Sequence, residues 1–155
     1  MKLSGSFQLP APPDRAYRLL QDPAVLARSM PGCERLEPIG DKEYAMRMKM
    51  SMASVSGLFD GKVSIADEDP PRGFRLIVEG TGKIGFMKGD GRLTVGPEGD
   101  GAAVAFEGDV QVGGVIANVG QRLIEVTAKM MIKRFFASLA EEAVKESAAG
   151  SSVAG

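Results

Sequence analysis

The sequence has no histidine and only one cysteine, Cys33, among its 155 residues. Without imidazole, Ser-His-Asp and Cys-His nucleophiles cannot form, and zinc sites built on histidine are excluded. A single thiol also excludes an internal disulfide and a thiolate metal cluster. We therefore predict no catalytic residue, no metal site and no cofactor, and expect that the protein is not an enzyme.

Long apolar runs and an excess of charge of one sign are also lacking. No stretch approaches the ~20 apolar residues needed to span a bilayer, and the N-terminus has no signal-peptide core. The 19 basic and 20 acidic residues give a formal net charge of −1, so no strong field attracts nucleic acid. The length suits one domain with a sizeable core. We expect a cytoplasmic single-domain protein that does not bind nucleic acid.

Alternation of apolar and polar residues dominates the first two thirds of the chain. Residues 2–9 form a first predicted strand, and two short helices follow within residues 14–30. Between Cys33 and Val112 turn residues separate six further strands, which is typical of an antiparallel meander. Residues 80–85 match G-x-G-x-x-G, but alternating strand rather than helix follows them, so we interpret these glycines as bends in the sheet.

After Gly113-Gly114 the apolar period changes from 2 to 3.6, which predicts a long helix ending near Glu146. One apolar stripe comprises Ile116, Val119, Leu123, Val126 and Met130, and a neighbouring one comprises Ile124, Ala128, Met131, Phe135 and Leu139. This width of apolar surface needs a partner, so we expect the helix to lie on the concave sheet face with Leu123 and Met130 buried. Residues 1–146 then form the ligand-binding domain, and residues 147–155 form a flexible tail.

Charged side chains fall mostly on the polar faces of these elements. Asp60, Glu79, Glu107 and Asp109 alternate outward, so a catalytic carboxylate pair is not predicted. Arg122, Lys129, Lys133 and Arg134 form a basic group on the helix, for which a solvated face is favoured over a docking surface.

Four methionines, Met46, Met48, Met50 and Met52, occupy one face of a single predicted strand. Methionine is flexible and polarizable, and it fills irregular space around variable apolar shapes. Two interpretations remain open at this point: these side chains pack against the helix, or some of them line a void.

Two segments resemble one known family. Residues 30–34, Met-Pro-Gly-Cys-Glu, resemble the M-P-G-C-E signature of the carbon monoxide dehydrogenase CoxG family. Residues 113–123 resemble its G-G-x-x-A-x-x-G-x-R-L helix start. The order of elements is similar to the helix-grip fold of START-type and polyketide cyclase-like (SRPBCC) proteins, an α+β fold in which a curved antiparallel sheet of about seven strands wraps a long C-terminal helix. The resemblance spans about residues 1–140.

The resemblance implies an accessory protein rather than an oxidising enzyme. Members of this family accompany molybdenum hydroxylases of the carbon monoxide dehydrogenase type, as quinone or lipid binders or as membrane recruiters. The implied partners are therefore a hydrophobic small molecule, such a hydroxylase and the inner membrane surface.

We accordingly predict noncatalytic binding of a lipophilic, quinone-like molecule between sheet and helix. The predicted walls are Met46, Met48, Met50, Phe59, Leu76, Phe106, Leu123 and Met130, with Phe86 and Met87 as a mobile mouth. Two alternatives remain: a docking protein with a filled core, and a cyclase or hydrolase on the same scaffold.

Overall fold

One antiparallel sheet of seven strands wraps around one long helix. The structure, a computed structural model, describes the backbone of residues 1–154 and the side chains of residues 1–146. The elements are β1 (Lys2–Leu9), α1 (Pro13–Leu19), α2 (Pro23–Ser29), β2 (Cys33–Gly40), β3 (Glu43–Met52), β4 (Val55–Asp69), β5 (Gly73–Gly82), β6 (Gly85–Glu98), β7 (Gly101–Gly113), a 3-10 turn (Val115–Val119) and α3 (Gln121–Ala154). The strand order is β1-β7-β6-β5-β4-β3-β2. The predicted helix-grip fold is confirmed.

Local sequence signals start and stop the two short helices. Pro13 occupies the first turn of α1, where its missing N–H is no loss. Asp22 caps α2, and its carboxylate accepts hydrogen bonds from the backbone N–H groups of Ala24 at 3.0 Å and Val25 at 3.4 Å. Helix α1 packs against β6 and β7, and α2 packs against β2 and α3.

The glycine-rich segment at residues 80–85 is a β-hairpin, as the alternation indicates. Gly82 ends β5 and pairs with Gly85, which begins β6.

The long helix differs from its prediction in the apolar stripe that it buries and in its length. Gly120 has φ of +100° and separates the 3-10 turn from α3, so residues 116–119 do not continue the surface of the helix. The buried helix residues are Ile124, Phe135, Phe136, Leu139 and Ala143. The prediction that Met130 is buried is therefore wrong, because its side chain is 44% exposed.

The far end of α3 extends past the predicted boundary near Glu146. The helical backbone continues to Ala154, through a segment that contains alanines and no proline. The predicted tail comprises residues 147–155; the side chains of this segment and the whole of Gly155 lie outside the described residues. The flexibility of this segment stays a prediction.

Candidate functional site

The contacts of α3 with two strands define the space between this helix and the sheet. The backbone of α3 approaches the sheet most closely at β1 and β3. Strand β1 is one edge of the sheet, and β3 is next to the other edge. Because the curved centre of the sheet lies further from the helix, side chains alone must fill the volume between them.

One end of this space is closed by a group of buried side chains that we call the aromatic cluster. Phe7 and Phe136 stack with ring centroids 4.3 Å apart, and Tyr17 meets Phe74 edge to face at 5.6 Å. Helices α1 and α2 contribute to this end and cover it. The buried members of the cluster are Leu9, Ala11, Ala16, Tyr17, Leu19, Leu20, Val25, Ile65, Phe74, Leu93, Val95, Ala102, Val104, Phe135, Phe136, Leu139 and Ala143.

The other end holds a smaller group that we call the methionine cluster. Its buried members are Met52, Phe59, Ile116 and Ile124. Partly buried side chains complete it, namely Met1, Met50, Val55, Ile84, Met87, Val112, Val119 and Leu123. The 3-10 turn covers this end, where Phe59 is the one aromatic ring and flexible thioether side chains surround it.

The middle of the concave face lies between the two clusters. Met46 and Met48 are buried there without belonging to either cluster. Gly91 pairs with Gly108, and Gly89 pairs with Val110 on the neighbouring strand. A Cβ atom added at Gly89 would meet no neighbouring atom closer than 4.0 Å. The glycines contribute no side chain to this part of the interior, and Met46 and Met48 add flexible side chains to the same concave face.

Most of the predicted wall residues face this interior. Met46, Met48 and Phe59 are buried there. The half-buried ones are Met50, Leu76, Met87, Phe106 and Leu123.

Phe86 and Met130 do not face the interior, which corrects two of the predicted positions. Successive residues of a strand point to opposite faces, so Phe86 points outward where Met87 points inward. The Phe86 ring lies over Gly113 on the convex face, and the side chain is 41% exposed. Met130 lies on the outer side of α3.

A cleft opens between the edge strand β1 and α3, with a volume of about 160 Å³. Its lining residues are Leu3, Ser4, Phe7, Phe106, Lys129, Ile132 and Lys133. Phe106 is the single predicted wall residue among them. The alternation of β1 marks Leu3 and Phe7 as inward, but no sequence signal shows that the helix lies beside this strand.

A second, polar groove of about 760 Å³ lies between α1 and the turn that follows β4. The Tyr17 hydroxyl donates to Glu68 Oε1 at 3.0 Å, and the Lys42 ammonium lies 3.6 Å from the same oxygen. Burial alone would raise the pKa of Glu68, but the hydrogen bond from Tyr17 and the charge of Lys42 hold it below its usual value. Burial, aided by the Glu68 charge, raises the pKa of Tyr17. The groove joins α1 to the sheet through charged and hydrogen-bonded groups.

The described residues offer little for metal chemistry. No group of three or more carboxylate or thiol side chains among them is arranged to hold a metal ion. Burial raises the pKa of the Cys33 thiol, which disfavours the reactive thiolate.

No helix in the described part of the chain is long and apolar enough to cross a membrane.

The sequence profile of one family, the carbon monoxide dehydrogenase CoxG family, matches residues 5–144. The chain belongs to this family. No curated protein matches the CoxG chain in sequence.

Solved structures show the same architecture. A conserved protein from Geobacillus kaustophilus is 29% identical, with a TM-score of 0.88 over 94% of this chain and 96% of that one. A protein from Thermus thermophilus is 18% identical, with a TM-score of 0.73 over 95% and 99% of the two chains. The Zhui aromatase/cyclase from Streptomyces sp. R1128 is 14% identical, with a TM-score of 0.64 over 94% of each chain. At these lower identities the likeness shows the fold alone.

The two segments that resemble the CoxG signatures have clear structural tasks. Gly32 has φ of +81°, and any Cβ there would collide with the backbone carbonyl of Lys49. The Lys49 N–H donates to the Gly32 carbonyl at 2.8 Å, which ties the end of α2 to β3. Gly114 has φ of +89° and passes close to Gly85 at the β5–β6 hairpin. Both glycines are required where the chain passes close to another backbone.

Proposed function

We propose that this CoxG protein binds a lipophilic, quinone-like molecule, without catalysis, in the space between α3 and the centre of the sheet. The observation that carries the proposal is the composition of that space. The side chains at its middle are methionine and other apolar groups, and glycines leave part of the sheet uncovered. Such a surface can repack around a ring or a prenyl chain, because methionine changes rotamer at low cost.

Affinity would come from apolar burial. The expected contribution is roughly 25 cal/mol per Å² of apolar surface removed from water, before the costs of ordering. The wall residues Met46, Met48 and Phe59 carry no charge, so no strong polar anchor opposes release. These properties suit a carrier that must give up its cargo.

Membership of the CoxG family suggests which enzyme such binding would serve. We propose that the protein is an accessory of a molybdenum hydroxylase of the carbon monoxide dehydrogenase type. In that setting it would pass a quinone between this enzyme and the inner face of the membrane, or recruit the enzyme there.

A cyclase or hydrolase role is less well supported, although one solved structure with this fold is an aromatase/cyclase. Among the buried residues of the two clusters, Tyr17 alone carries a hydrogen-bonding side-chain group. Its hydroxyl already donates to Glu68. Acid–base chemistry on a bound molecule needs convergent polar groups, which these positions do not supply.

The decisive experiment measures binding of a short-chain menaquinone to the purified protein. Met48→Lys places a charge in the apolar interior and should abolish binding, because an unpaired buried charge is strongly disfavoured. Leu123→Arg should weaken it for the same reason. Met130→Lys is the matched control, because it makes the same change at an exposed methionine on the outer side of α3.

Circular dichroism and thermal melting must show that each variant is folded. Native mass spectrometry of the untreated protein, followed by lipid extraction, gives the identity of any ligand that copurifies. If the folded protein binds no quinone and extracts no lipid from vesicles, the carrier proposal fails and a docking protein with a filled core replaces it.

A further inference from the structure

The cleft beside β1 combines an apolar floor with a cationic rim. Leu3, Phe7, Phe106 and Ile132 form the apolar walls, while Lys129 and Lys133 lie at the opening. The rings of Phe7 and Phe106 stack with centroids 6.1 Å apart and supply the aromatic part of these walls. Both phenylalanines also face the interior beneath α3. The cleft and the interior beneath α3 therefore share these two side chains.

The size of the cleft limits what it can hold. Its volume is about 160 Å³, and an apolar protein cavity of about 150 Å³ is known to hold a molecule the size of benzene. One aromatic ring or a short run of methylenes would fit, with the remainder of a longer chain passing under the helix. The opening is also the place where a polar end of such a molecule would meet water.

The charges at the opening favour one sign of head group. The lining residues include two lysines and no carboxylate. Lys129 and Lys133 are four residues apart, so both ammonium groups project from one face of α3. Lys129 Nζ lies 2.8 Å from Glu125 Oε1, whereas Lys133 forms no ion pair with any residue between 1 and 146. The rim thus keeps a net positive charge, and the Ser4 hydroxyl adds a further hydrogen-bond donor.

We infer that this cleft is the lateral entrance of the ligand space, and that it admits, besides a neutral quinone, amphiphiles in which an apolar ring or chain carries an anionic head group. Lys129 and Lys133 bind the head group while the phenylalanine surface takes the first apolar segment. The inference rests on the proposed function, because it assumes that apolar molecules enter beneath α3. It adds the route of entry and a preference for negative charge.

Two fluorescent probes that differ by one charged group test the preference. 8-Anilinonaphthalene-1-sulfonate carries a sulfonate, and N-phenyl-1-naphthylamine has the same ring system without it. Lys129→Gln/Lys133→Gln should weaken binding of the sulfonate probe at least fivefold and leave the neutral probe within twofold. Lys88→Gln, an exposed lysine on β6, is the matched control and should change neither probe. Raising the salt concentration from about 0.02 M to 0.5 M should reproduce the effect of the double variant, because it screens exposed charges.

Competition with ten-carbon chains identifies the class of head group. Decanoate and decyl phosphate should displace the sulfonate probe from the wild type at lower concentration than decanol, and this difference should disappear in the double variant. Preferential displacement by decanoate indicates a carboxylate site, and preferential displacement by decyl phosphate indicates a phosphate site.

The failure of this inference and that of the proposed function are distinguishable. If the neutral probe binds but the lysine substitutions leave the sulfonate probe unchanged, the entrance and its charge preference are wrong while ligand binding beneath α3 stands. If neither probe binds the folded wild type, both are wrong.

Discussion

The two ends of the core use different side chains for the same task of joining α3 to the sheet. The aromatic cluster is built from rings in defined contact and is covered by α1 and α2. The methionine cluster is built from thioethers and aliphatic groups around one ring, Phe59, and is covered by a single 3-10 turn. Rings in edge-to-face and stacked pairs fix one arrangement, whereas methionine tolerates several. The comparison shows an anchored end and an adaptable end, with the proposed ligand space between them.

Two buried phenylalanines give the largest expected contrast between these ends. Phe74 and Phe59 are each 1% exposed, and they lie in the aromatic and the methionine cluster respectively. Phe74→Ala should lower the free energy of unfolding by about 3–5 kcal/mol, since its rigid neighbours cannot close the cavity. Phe59→Ala should cost about 1 kcal/mol less, because methionines relax into the space. Urea denaturation measures both, and equal losses would contradict the contrast.

The phase of α3 predicts the next largest difference. Ile124 is 9% exposed and packs in the methionine cluster, whereas Met130 is 44% exposed. Ile124→Ala should cost about 2 kcal/mol of unfolding free energy. Met130→Ala should remain within about 0.5 kcal/mol of the wild type. If Met130→Ala lowers stability more than Ile124→Ala in thermal or urea unfolding, the predicted burial of Met130 is correct after all.

An acid-sensitive contact is expected at the anchored end, where Tyr17 donates to Glu68. The pKa of Glu68 is held low in the folded state, so its carboxylate stabilises the fold above its unfolded pKa. This contribution is lost as the pH falls below about 4.3, the ordinary value for glutamate, and through the lower folded value. Glu68→Gln should lower the free energy of unfolding by about 1 kcal/mol at pH 7. The difference from the wild type should vanish in acid, and a constant difference across a pH series would argue against this contact.

The smallest expected effect concerns the ion pair between α2 and α3. Arg28 contacts both carboxylate oxygens of Glu142, each at 3.1 Å. The pair is on the surface, so Arg28→Gln should lower the melting temperature slightly at low salt and not at high salt. Arg35→Gln, which removes an exposed pair within β2, serves as the control and should have no effect at either salt concentration.

Much of the fold could be predicted because one physical signal repeats along the chain. Alternating apolar residues define the strands, and the change of period after Gly113-Gly114 defines the helix. Both apolar stripes of α3 were predicted, and the second of them, with Ile124, Phe135 and Leu139, is the buried one. Which stripe faces the sheet could not be predicted, because it depends on a positive φ at Gly120 that interrupts the first stripe. The alternation of Met87, Gly89 and Gly91 on one face of β6 already implies that Phe86 points outward. Phe86 was nevertheless assigned to the mouth, because residues 86 and 87 are close to the turn.

The candidate site was predicted less completely for a geometric reason. The methionine face of β3 is a property of one strand, and periodicity shows it directly. The cleft beside β1 depends on where α3 lies relative to a strand more than a hundred residues earlier. Local sequence patterns carry no signal for that lateral placement, so Leu3, Phe7, Ile132 and the two lysines were absent from the predicted walls.

The pairing of β1 with β7 also has a consequence for how the chain is made. Lys2 lies opposite Asp109, so the first strand to be synthesised gains its only sheet partner last. While the polypeptide emerges from the ribosome, the strands from β2 to β6 can pair with neighbours already present, but β1 must wait until β7 is complete. Contacts of such long sequence separation form slowly. A ribosome that stalls before Gly101 would therefore hold a nascent chain in which β1 has no partner and β6 has a free edge, and both features favour aggregation.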